Sequence, residues 1–413
     1  MMVIGYDGSR AFPSTRALTE LSRMSSGQVN RTGTENYSYQ LLLNLSKIDR
    51  KNQYIVYLRP GTKETQKWPD NFRFSTINFP RLWTQGGLSL QTFKDPLDVL
   101  FVPAHTLPII RKPGLRTVVT VHDLGSDYLP SMHQLKQRLY LSIMQRYQLK
   151  GATKIIAVSE ATKEDLVERI GVEPLKVEVV YEGYDKELFR SVKGEILRNT
   201  LKYFDIEEGK YFLFVGTVQP RKNLERVIKA FFAIARSKAT KQSSQGKIPG
   251  KIAVLPEFTP SEVEGVARND VVELVIVGQK GWLSDDIYKL PKRLGIENKV
   301  KFLGYVPDKD LPALYSGAVA LLFPSLFEGF GLPILEAQAC GCPVITSNLS
   351  SMPEVAGKGA IYVNPYSTED IIRGIGGIRE KVIKAGFENV KRFSWEKCAR
   401  ETRAVLEKIA KMC

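Results

Sequence analysis

Short apolar runs alternate with longer amphipathic stretches from one end of the chain to the other. The runs are rich in β-branched and aromatic residues, which favours buried strands, and the stretches between them have helical spacing. Predicted strands begin near residues 3, 53, 98, 116, 154 and 176, and again near residues 211, 272, 299, 318 and 343. Predicted helices include 132–149, 160–170, 224–236, 308–316 and 368–383. This alternation is typical of βα units in parallel sheets, so we expect an α/β protein.

The two series of strands predict two doubly wound, Rossmann-like domains facing a cleft. We expect the first domain over residues 1–195 and the second over 196–393. A last helix, over 394–413, begins at the good N-cap residue Ser394, and its apolar spacing indicates core packing. The segment 236–270 is rich in Lys, Ser, Gln, Gly and Pro, which predicts an inserted, mobile surface loop. Open α/β sheets bind ligands beyond the carboxyl ends of their strands, so the cleft is the expected site.

Composition and charge narrow the function. No run approaches the ~18 apolar residues of a membrane-spanning helix, and the first apolar run meets Asp7 too early for a signal peptide. We therefore expect a cytoplasmic protein. Four cysteines and three histidines in 413 residues argue against a disulfide framework or a structural metal site. The formal net charge of +15 favours anionic partners, namely nucleotides, nucleic acid or a phosphate-bearing membrane surface.

A basic turn follows the strand predicted at 211. The sequence VGTVQPRKNLERVIKAF, residues 215–231, leaves that strand and opens a helix near Leu224. Arg221 and Lys222 therefore lie where helix amides and the positive end of the helix dipole favour an anion. A basic pair by itself is more often a solvated turn, but its position at the carboxyl end of a strand favours a phosphate site.

Two glutamates flank the start of a second helix, in PSLFEGFGLPILEAQACGCPVITS, residues 324–347. Pro333 fits a first helical turn and Gly341 ends the helix. Glu336 is thus predicted within the helix, and Glu328 precedes it in a glycine-rich loop whose backbone can approach a ligand closely. Two carboxylates placed in this way can accept hydrogen bonds from the hydroxyls of a polyol. The alternative is that one glutamate caps the helix and the other is merely exposed.

The sequence lacks the motifs characteristic of several other functional classes. The chain has no zinc-finger spacing, aromatic RNA-binding signature or base-reading basic helix, so nucleic acid is not an expected partner. It also contains neither G-x-x-x-x-G-K-[ST] nor G-x-S-x-G, which argues against a P-loop NTPase and a serine hydrolase.

Seven short motifs are spread along the chain and form a recognisable set. They are R-T-G-T at 31–34, H-D at 122–123, G-T-x-x-P-R-K-N at 216–223, F-E-G-F-G-L-P-x-x-E-A at 327–337, G-x-P-V at 341–344, P-E-V-A-G at 353–357 and FSWEKCARET at 393–402. This set resembles the retaining, nucleotide-sugar-dependent glycosyltransferases of family 4, which have the GT-B fold. The resemblance covers essentially the whole chain and is closest to the mannosyltransferase-like members that build polysaccharides. In that family the last helix commonly crosses back to the amino-terminal domain, and we expect the same here.

The resemblance implies a role for each matching residue. Arg221 and Lys222 would neutralise the diphosphate of the donor, while Glu336 would hold the ribose hydroxyls and Glu328 those of the transferred sugar. His122 would contact that sugar near its reacting carbon, although a histidine at a strand end is often only structural. The implied catalytic residues are His122, Glu328, Arg221 and Lys222. The implied donor-binding residues are Gly33, Thr34, Gly216, Arg221, Lys222, Glu328, Gly329, Phe330, Gly331, Leu332 and Glu336.

The resemblance also implies the type of reaction. A hexose, best assigned as mannose, would pass with retention from a GDP- or UDP-sugar to a glycan or lipid-linked acceptor, with no other cofactor. We expect the chain to lack the Asp-x-Asp ligand set of metal-dependent transferases with the other major fold, and therefore expect no metal. Several relatives have Arg after the glycine corresponding to Gly216, but here Thr217 follows, which leaves the diphosphate charge to Arg221 and Lys222. A non-catalytic nucleotide-sugar-binding protein and a GT-B carbohydrate phosphorylase remain alternatives, which nucleotide release in the presence of donor and acceptor would distinguish.

The location of the acceptor is a separate question. Basic residues lie in or beside the predicted helix 132–149 of the acceptor-binding domain, namely Lys136, Arg138, Arg146 and Lys150. They do not fall on one clean face, which argues against membrane insertion. Each basic residue near an anionic surface contributes about 1 kcal/mol, so peripheral attraction to the inner face of the cell membrane is one expectation. A soluble acceptor, with the charge serving solubility and donor capture, is the other.

Overall fold

The computed structural model describes residues 1–12, 31–62, 66–79, 81–104, 106–124, 146–243 and 273–411, with only the backbone for 237–243. It divides the chain into two compact units. Unit 1 comprises Met1–Gly183 and Phe393–Cys413, and unit 2 comprises Tyr184–Arg392. The chain therefore leaves the first unit after Gly183, not at the predicted residue 195. Most of the predicted helix 132–149 and of the predicted loop 236–270 lies outside the described residues.

Seven parallel strands form the sheet of unit 1, in the order β3-β2-β1-β4-β5-β6-β7. They are β1 Val3–Asp7, β2 Gln53–Leu58, β3 Phe72–Thr76, β4 Val99–Val102, β5 Arg116–Val121, β6 Lys154–Ala157 and β7 Val177–Val179. Helices α1 Gly33–Ile48, α2 Ser89–Lys94 and α3 Glu160–Asp165 lie along the described part of this unit. Every residue of the central strands β4 and β6 is buried, as expected of a parallel sheet covered on both faces.

Unit 2 has a sheet of six parallel strands in the order β10-β9-β8-β11-β12-β13. They are β8 Tyr211–Val215, β9 Glu273–Val277, β10 Val300–Gly304, β11 Ala320–Phe323, β12 Val344–Ser347 and β13 Ala360–Val363. Its helices are α4 Gly194–Tyr203, α5 Leu224–Ser243, α6 Asp285–Leu294, α7 Leu311–Gly317, α8 Leu332–Ala339, α9 Met352–Ala356, α10 Thr368–Gly376 and α11 Glu380–Val390. The prediction of two doubly wound parallel sheets is confirmed.

Two helix boundaries differ from the predictions. Helix α5 begins at Leu224 as expected but continues to Ser243, so the start of the predicted loop 236–270 is helical. The stretch 368–383, predicted as one helix, consists of parts of two, because α10 ends at Gly376 before a new helix starts at Glu380. Glycine is a poor residue for a helix interior, which accounts for the break at Gly376 and Gly377.

The strand order creates a switch point in each sheet. In unit 2 the chain runs outward from β8 through β9 to β10, and then returns to β11 on the other side of β8. The loops that follow β8 and β11 therefore leave the carboxyl edge of the sheet at its switch point, where open α/β sheets bind ligands. The two motifs singled out in the sequence, 215–231 and 324–347, follow these two strands.

The last helix, α12 Trp395–Ala410, belongs to unit 1. Its N-cap Ser394 accepts a hydrogen bond from the Lys397 amide, and Arg403 donates to the Ile48 carbonyl at the end of α1. At Gly183, an added Cβ atom would lie 2.1 Å from the Trp395 nitrogen, so only glycine permits this approach. Within the described ranges, no helix combines the length and the apolar character needed to cross a bilayer.

Candidate functional site

The basic turn after β8 is fastened to its neighbours. Pro220–Lys222 form one turn of 3₁₀-helix, and Asn223 follows in the left-handed conformation before α5 begins. The Asn223 side-chain amide donates to the Pro324 carbonyl at 3.0 Å and to the Pro365 carbonyl at 2.7 Å. These bonds tie the turn to the loops after β11 and β13. Asn223 ends the G-T-x-x-P-R-K-N motif, but no role was predicted for it, because hydrogen bonds to two distant loops leave no mark in a local pattern.

Arg221, Lys222 and Glu328 form one cluster, in which Lys222 and Glu328 are buried and Arg221 is partly exposed. Lys222 Nζ lies 2.6 Å from Glu328 Oε1, and Arg221 Nη1 lies 3.1 Å from Oε2. Lys222 and Glu328 are 7% and 6% exposed. Burial by itself opposes ionisation of Glu328, but the adjacent charges of Lys222 and Arg221 outweigh it and lower the pKa of this carboxyl. The sequence motifs predicted these residues at one site without predicting this direct ion pairing.

The loop that carries Glu328 is held by two serines. Ser350 Oγ and Ser351 Oγ donate to the Glu328 carbonyl at 2.7 and 3.0 Å, and Ser351 Oγ also approaches the Phe330 carbonyl at 2.8 Å. The loop continues through Gly329 to Gly331, whose φ of +110° marks the start of α8 at Leu332. Neither serine was singled out in the sequence, although both stand just before the P-E-V-A-G motif.

Glu336 projects from α8 and is half-buried. Tyr315 on α7 donates a hydrogen bond from Oη to Glu336 Oε2 at 2.8 Å. Burial raises the pKa of Glu336 to about 7; the Tyr315 bond opposes this shift and the charge of Asp308 adds to it. Glu336 is therefore a carboxyl group that changes charge near neutral pH. Tyr315 is a second site residue that the sequence motifs did not reveal.

Gly216 lies against the loop after β9. A Cβ atom at Gly278 would lie 2.0 Å from the Gly216 carbonyl oxygen, and the two residues have φ values of +145° and +146°. The Gly216 amide donates to the Val277 carbonyl and the Gly278 amide to the Gly304 carbonyl. The backbone that leads from β8 into the basic turn is thus packed directly on the neighbouring loop, with no side chain between them.

In unit 1, His122 directly follows β5 and is 8% exposed. Its Nδ1 lies 3.1 Å from Glu182 Oε1, and its Nε2 lies 3.0 Å from the Pro103 carbonyl oxygen. A carbonyl can only accept, so Nε2 carries a hydrogen, and the carboxylate favours a second hydrogen on Nδ1. Burial lowers the pKa of His122, but Glu182 outweighs it, with further help from Pro103 and Asp123, and the net pKa is raised. Glu182 was not predicted.

Gly33 and Thr34 begin α1, which also belongs to unit 1. Gly33 is exposed, and a Cβ atom there would meet no atom within 4 Å. Glu35 accepts a hydrogen bond from the Thr32 amide at 2.8 Å, which steadies the entry to the helix. The first amides of a helix have no intrahelical acceptor, so this end can donate to an anion.

An Asp-x-Asp triplet does occur outside the motifs, at Asp308–Asp310, which corrects the expectation that the chain lacks a ligand set of this kind. The triplet forms a 3₁₀ turn before α7, and Asp308 acts on the pKa of Glu336. In the ranges that the structure describes, no three His, Cys, Asp or Glu side chains are grouped so as to hold a metal ion.

Comparisons with known proteins agree with this architecture. The family profile "Glycosyltransferase Family 4" matches residues 31–188, and "Glycosyl transferases group 1" matches residues 252–384. The chain is similar to O-antigen chain mannosyltransferase B of Escherichia coli, with 29% identity over 70% of this chain and 69% of the relative. It is also similar to the O-antigen chain mannosyltransferase RfbU of Salmonella typhimurium, with 27% identity over 70% of this chain and 69% of the relative.

Solved structures show the same fold at lower identity. The sucrose-phosphate synthase of Thermosynechococcus elongatus superposes with a TM-score of 0.69 at 16% identity, over 99% of each chain. Anabaena HepE in complex with UDP-glucose gives a TM-score of 0.67 at 16% identity, over 99% of this chain and all of the other.

Proposed function

The chain is a glycosyltransferase of the family 4 type with the GT-B fold, and we propose that it transfers mannose from a nucleotide diphosphate sugar to a glycan or lipid-linked acceptor in polysaccharide synthesis. The observation that carries this proposal is the cluster of Arg221, Lys222 and Glu328 at the switch point of unit 2. The similarity to two O-antigen chain mannosyltransferases supports the sugar and the product class. HepE, solved with UDP-glucose, supports a nucleotide-sugar donor.

The cluster suits the charge changes of this reaction. The bond between the anomeric carbon and a diphosphate oxygen breaks, and its electron pair stays on the diphosphate. Arg221 and Lys222 stabilise that negative charge. Glu328 orients the N–H groups of these two side chains and accepts hydrogen bonds from hydroxyls of the sugar. The acceptor oxygen bonds to the anomeric carbon on the face the leaving group vacates, which retains its configuration, and the acceptor proton passes to the leaving diphosphate. Glu336 binds the ribose hydroxyls. Arg221 and Lys222 supply the positive charge at the diphosphate that a metal ion supplies in metal-dependent transferases.

A donor panel tests the proposed function. The protein is incubated with GDP-mannose, UDP-glucose or ADP-glucose, and both its melting temperature and sugar transfer to a lipid-linked glycan fraction are measured. A donor present at 100 times its dissociation constant should stabilise the protein by about 2.7 kcal/mol. We expect GDP-mannose to give transfer and free GDP, equally with and without EDTA.

The control is Arg373→Ala, because this arginine is exposed on α10 and belongs to unit 2 but not to the cluster. It should behave as wild type, whereas Arg221→Ala should lose donor stabilisation. No response to any donor would refute the proposal. Transfer that EDTA abolishes and manganese restores would refute its metal-independent part.

We also propose that the protein associates peripherally with an anionic membrane surface. Arg146 and Lys150, two of the four basic residues that suggested this in the sequence, are exposed. Lys176 Nζ contacts the Lys150 carbonyl at 3.3 Å, so a further cation lies at the same place. Exposed apolar side chains accompany them, with Tyr147 at 63% and Leu175 at 86%. Cations beside exposed apolar groups fit a surface of lipid phosphates.

Vesicle co-sedimentation measures this association. The protein should bind phosphatidylglycerol-containing vesicles at low ionic strength and release them at high salt, because charge attraction is screened within a Debye length. The double variant Lys150→Glu/Lys176→Glu should bind at least about 30-fold more weakly, since each of the two lost cations contributes about 1 kcal/mol near the surface and about 1.4 kcal/mol is tenfold in affinity. Lys384→Glu, which changes an exposed lysine of unit 2, is the matched control. Equal binding of all three proteins would contradict the proposed surface.

A further inference from the structure

Tyr315 is a buried residue in direct contact with Glu336. Its side chain is fully buried on α7, and its hydroxyl donates to Glu336 Oε2 at 2.8 Å across the contact between α7 and α8. A buried hydroxyl needs a partner, because leaving it unsatisfied is costly. The carboxylate satisfies that need, and in return the hydroxyl fixes one of its two oxygens. The orientation of the Glu336 carboxylate is thus set by a side chain that solvent does not reach.

The other carboxylate oxygen has a different environment. Among the described residues, Glu336 Oε1 has no hydrogen-bond partner, and the residue is half-buried rather than enclosed. An ionised carboxylate only accepts hydrogen bonds, so Oε1 and the remaining lone pair of Oε2 are suited to ligand donors. Two adjacent hydroxyl groups are donors of the right kind and number. Ribose presents such a pair at its 2′ and 3′ positions.

We infer that Tyr315 is a positioning residue, which holds the Glu336 carboxylate in the orientation that receives the 2′ and 3′ hydroxyls of the donor's ribose. This inference rests on the proposed function, in which Glu336 binds the ribose. Tyr315 does not touch the nucleotide and acts only through the carboxylate. Its contribution should therefore appear only with ligands that carry the ribose hydroxyls.

The structure provides a matched control for the loss of a buried hydroxyl. Tyr211 on β8 is also fully buried, and its Oη donates to the Leu314 carbonyl of α7 at 2.6 Å. Tyr211→Phe and Tyr315→Phe thus remove the same atom from the same side-chain type, next to the same helix. They differ in the acceptor that is lost, a backbone carbonyl in one case and the Glu336 carboxylate in the other.

The test compares four ligands by isothermal titration: UDP and GDP, and their 2′,3′-dideoxy forms. Hydrogen bonds to charged groups contribute more than neutral ones, so we expect Tyr315→Phe to bind the preferred ribonucleotide about ten-fold more weakly than wild type. Its affinity for the matching dideoxynucleotide should stay within about two-fold of wild type. Tyr211→Phe should leave both affinities unchanged. A structural effect of Tyr315→Phe would weaken both nucleotides equally.

Each outcome decides something. The inference is overturned if Tyr315→Phe weakens the ribonucleotide and the dideoxynucleotide alike, or leaves the ribonucleotide affinity at the wild-type value. The proposed role of Glu336 is overturned, and the inference with it, if wild type binds ribonucleotide and dideoxynucleotide equally well or binds neither. Glu336→Gln could weaken binding of the ribonucleotide only, while Tyr315→Phe has no effect on binding. In that case the role of Glu336 in ribose binding stands and the positioning role of Tyr315 is overturned.

Discussion

Replacing Lys222 by methionine is expected to destabilise the protein by about 3–5 kcal/mol at neutral pH, because it leaves a buried carboxylate with one cation in place of two. Methionine fills a similar volume, so the loss reports the missing charge and not a cavity. Glu328 is 6% exposed and cannot recover its hydration without rearranging the loop. Urea unfolding, monitored by circular dichroism, measures the change.

The pH dependence identifies the cause. In wild type the pKa of Glu328 is lowered, so its contribution is complete above the ordinary value of 4.5 and is lost as pH falls through the folded pKa. In Lys222→Met, with one cation gone, burial should raise this pKa, so the penalty should be largest at neutral pH and shrink as the carboxyl protonates. The double variant Lys222→Met/Glu328→Gln should regain most of the stability but not donor binding. A penalty that is independent of pH would contradict this account.

Replacing Glu182 by glutamine is expected to cost about 3 kcal/mol near pH 6, because it removes one partner of a buried ion pair. In wild type the raised pKa of His122 means that the pair stabilises fully below the ordinary value of 6.5, and that this stabilisation is lost as pH rises through the folded pKa. In the variant, burial alone should lower the pKa of His122. The penalty should therefore fade as pH rises, opposite to that of Lys222→Met.

Unfolding at several pH values and proton NMR of the histidine rings together check this expectation. The chain has three histidines, so the His122 signal can be assigned by comparison with His122→Gln. Glu396→Gln is the control, because Glu396 pairs with Arg400 in the same unit with both side chains exposed, and such pairs contribute little. An unchanged His122 titration in Glu182→Gln would show that Glu182 does not hold the histidine in its charged form.

The sequence predicted the interior of each sheet better than its edges. The strands predicted from continuous apolar runs are confirmed, and the two missed strands, β3 and β13, are both edge strands. Only Phe72 of β3 and Val363 of β13 are buried. The sequence of β3, FRFST, alternates apolar and polar residues, whereas β13 is a short apolar run, AIYV, that was overlooked. An edge strand is stabilised mainly by its ladder hydrogen bonds, which any residue other than proline can form, and less by burial of its side chains.

The positions of site residues could be predicted where residue type and local sequence position determine them. The positions of the two loops followed from Pro333, Gly341 and the strand before Arg221. The loops come after β8 and β11, which are neighbours in the sheet. The missed residues act through long-range contacts: Glu182 is 60 residues from His122, and Tyr315 is 21 residues from Glu336. Such a partner can stand anywhere in the chain with the same effect, so spacing carries no trace of it. The roles of the site residues remain predictions until the variants are measured.

The discontinuity of unit 1 has a consequence for synthesis on the ribosome. Its first sheet is complete once β7 is made, but α12, which bonds to Ile48 across 355 residues, emerges only after all of unit 2. Unit 2 is continuous in sequence and can fold as soon as its last helix is free of the exit tunnel. Until then, the surface of α1 that α12 covers is exposed, and Leu406 and Ile409, which are fully buried in the finished protein, have yet to be added. Until α12 emerges, this part of unit 1 is open to chaperones and proteases, and the unit whose synthesis begins first is completed only after unit 2.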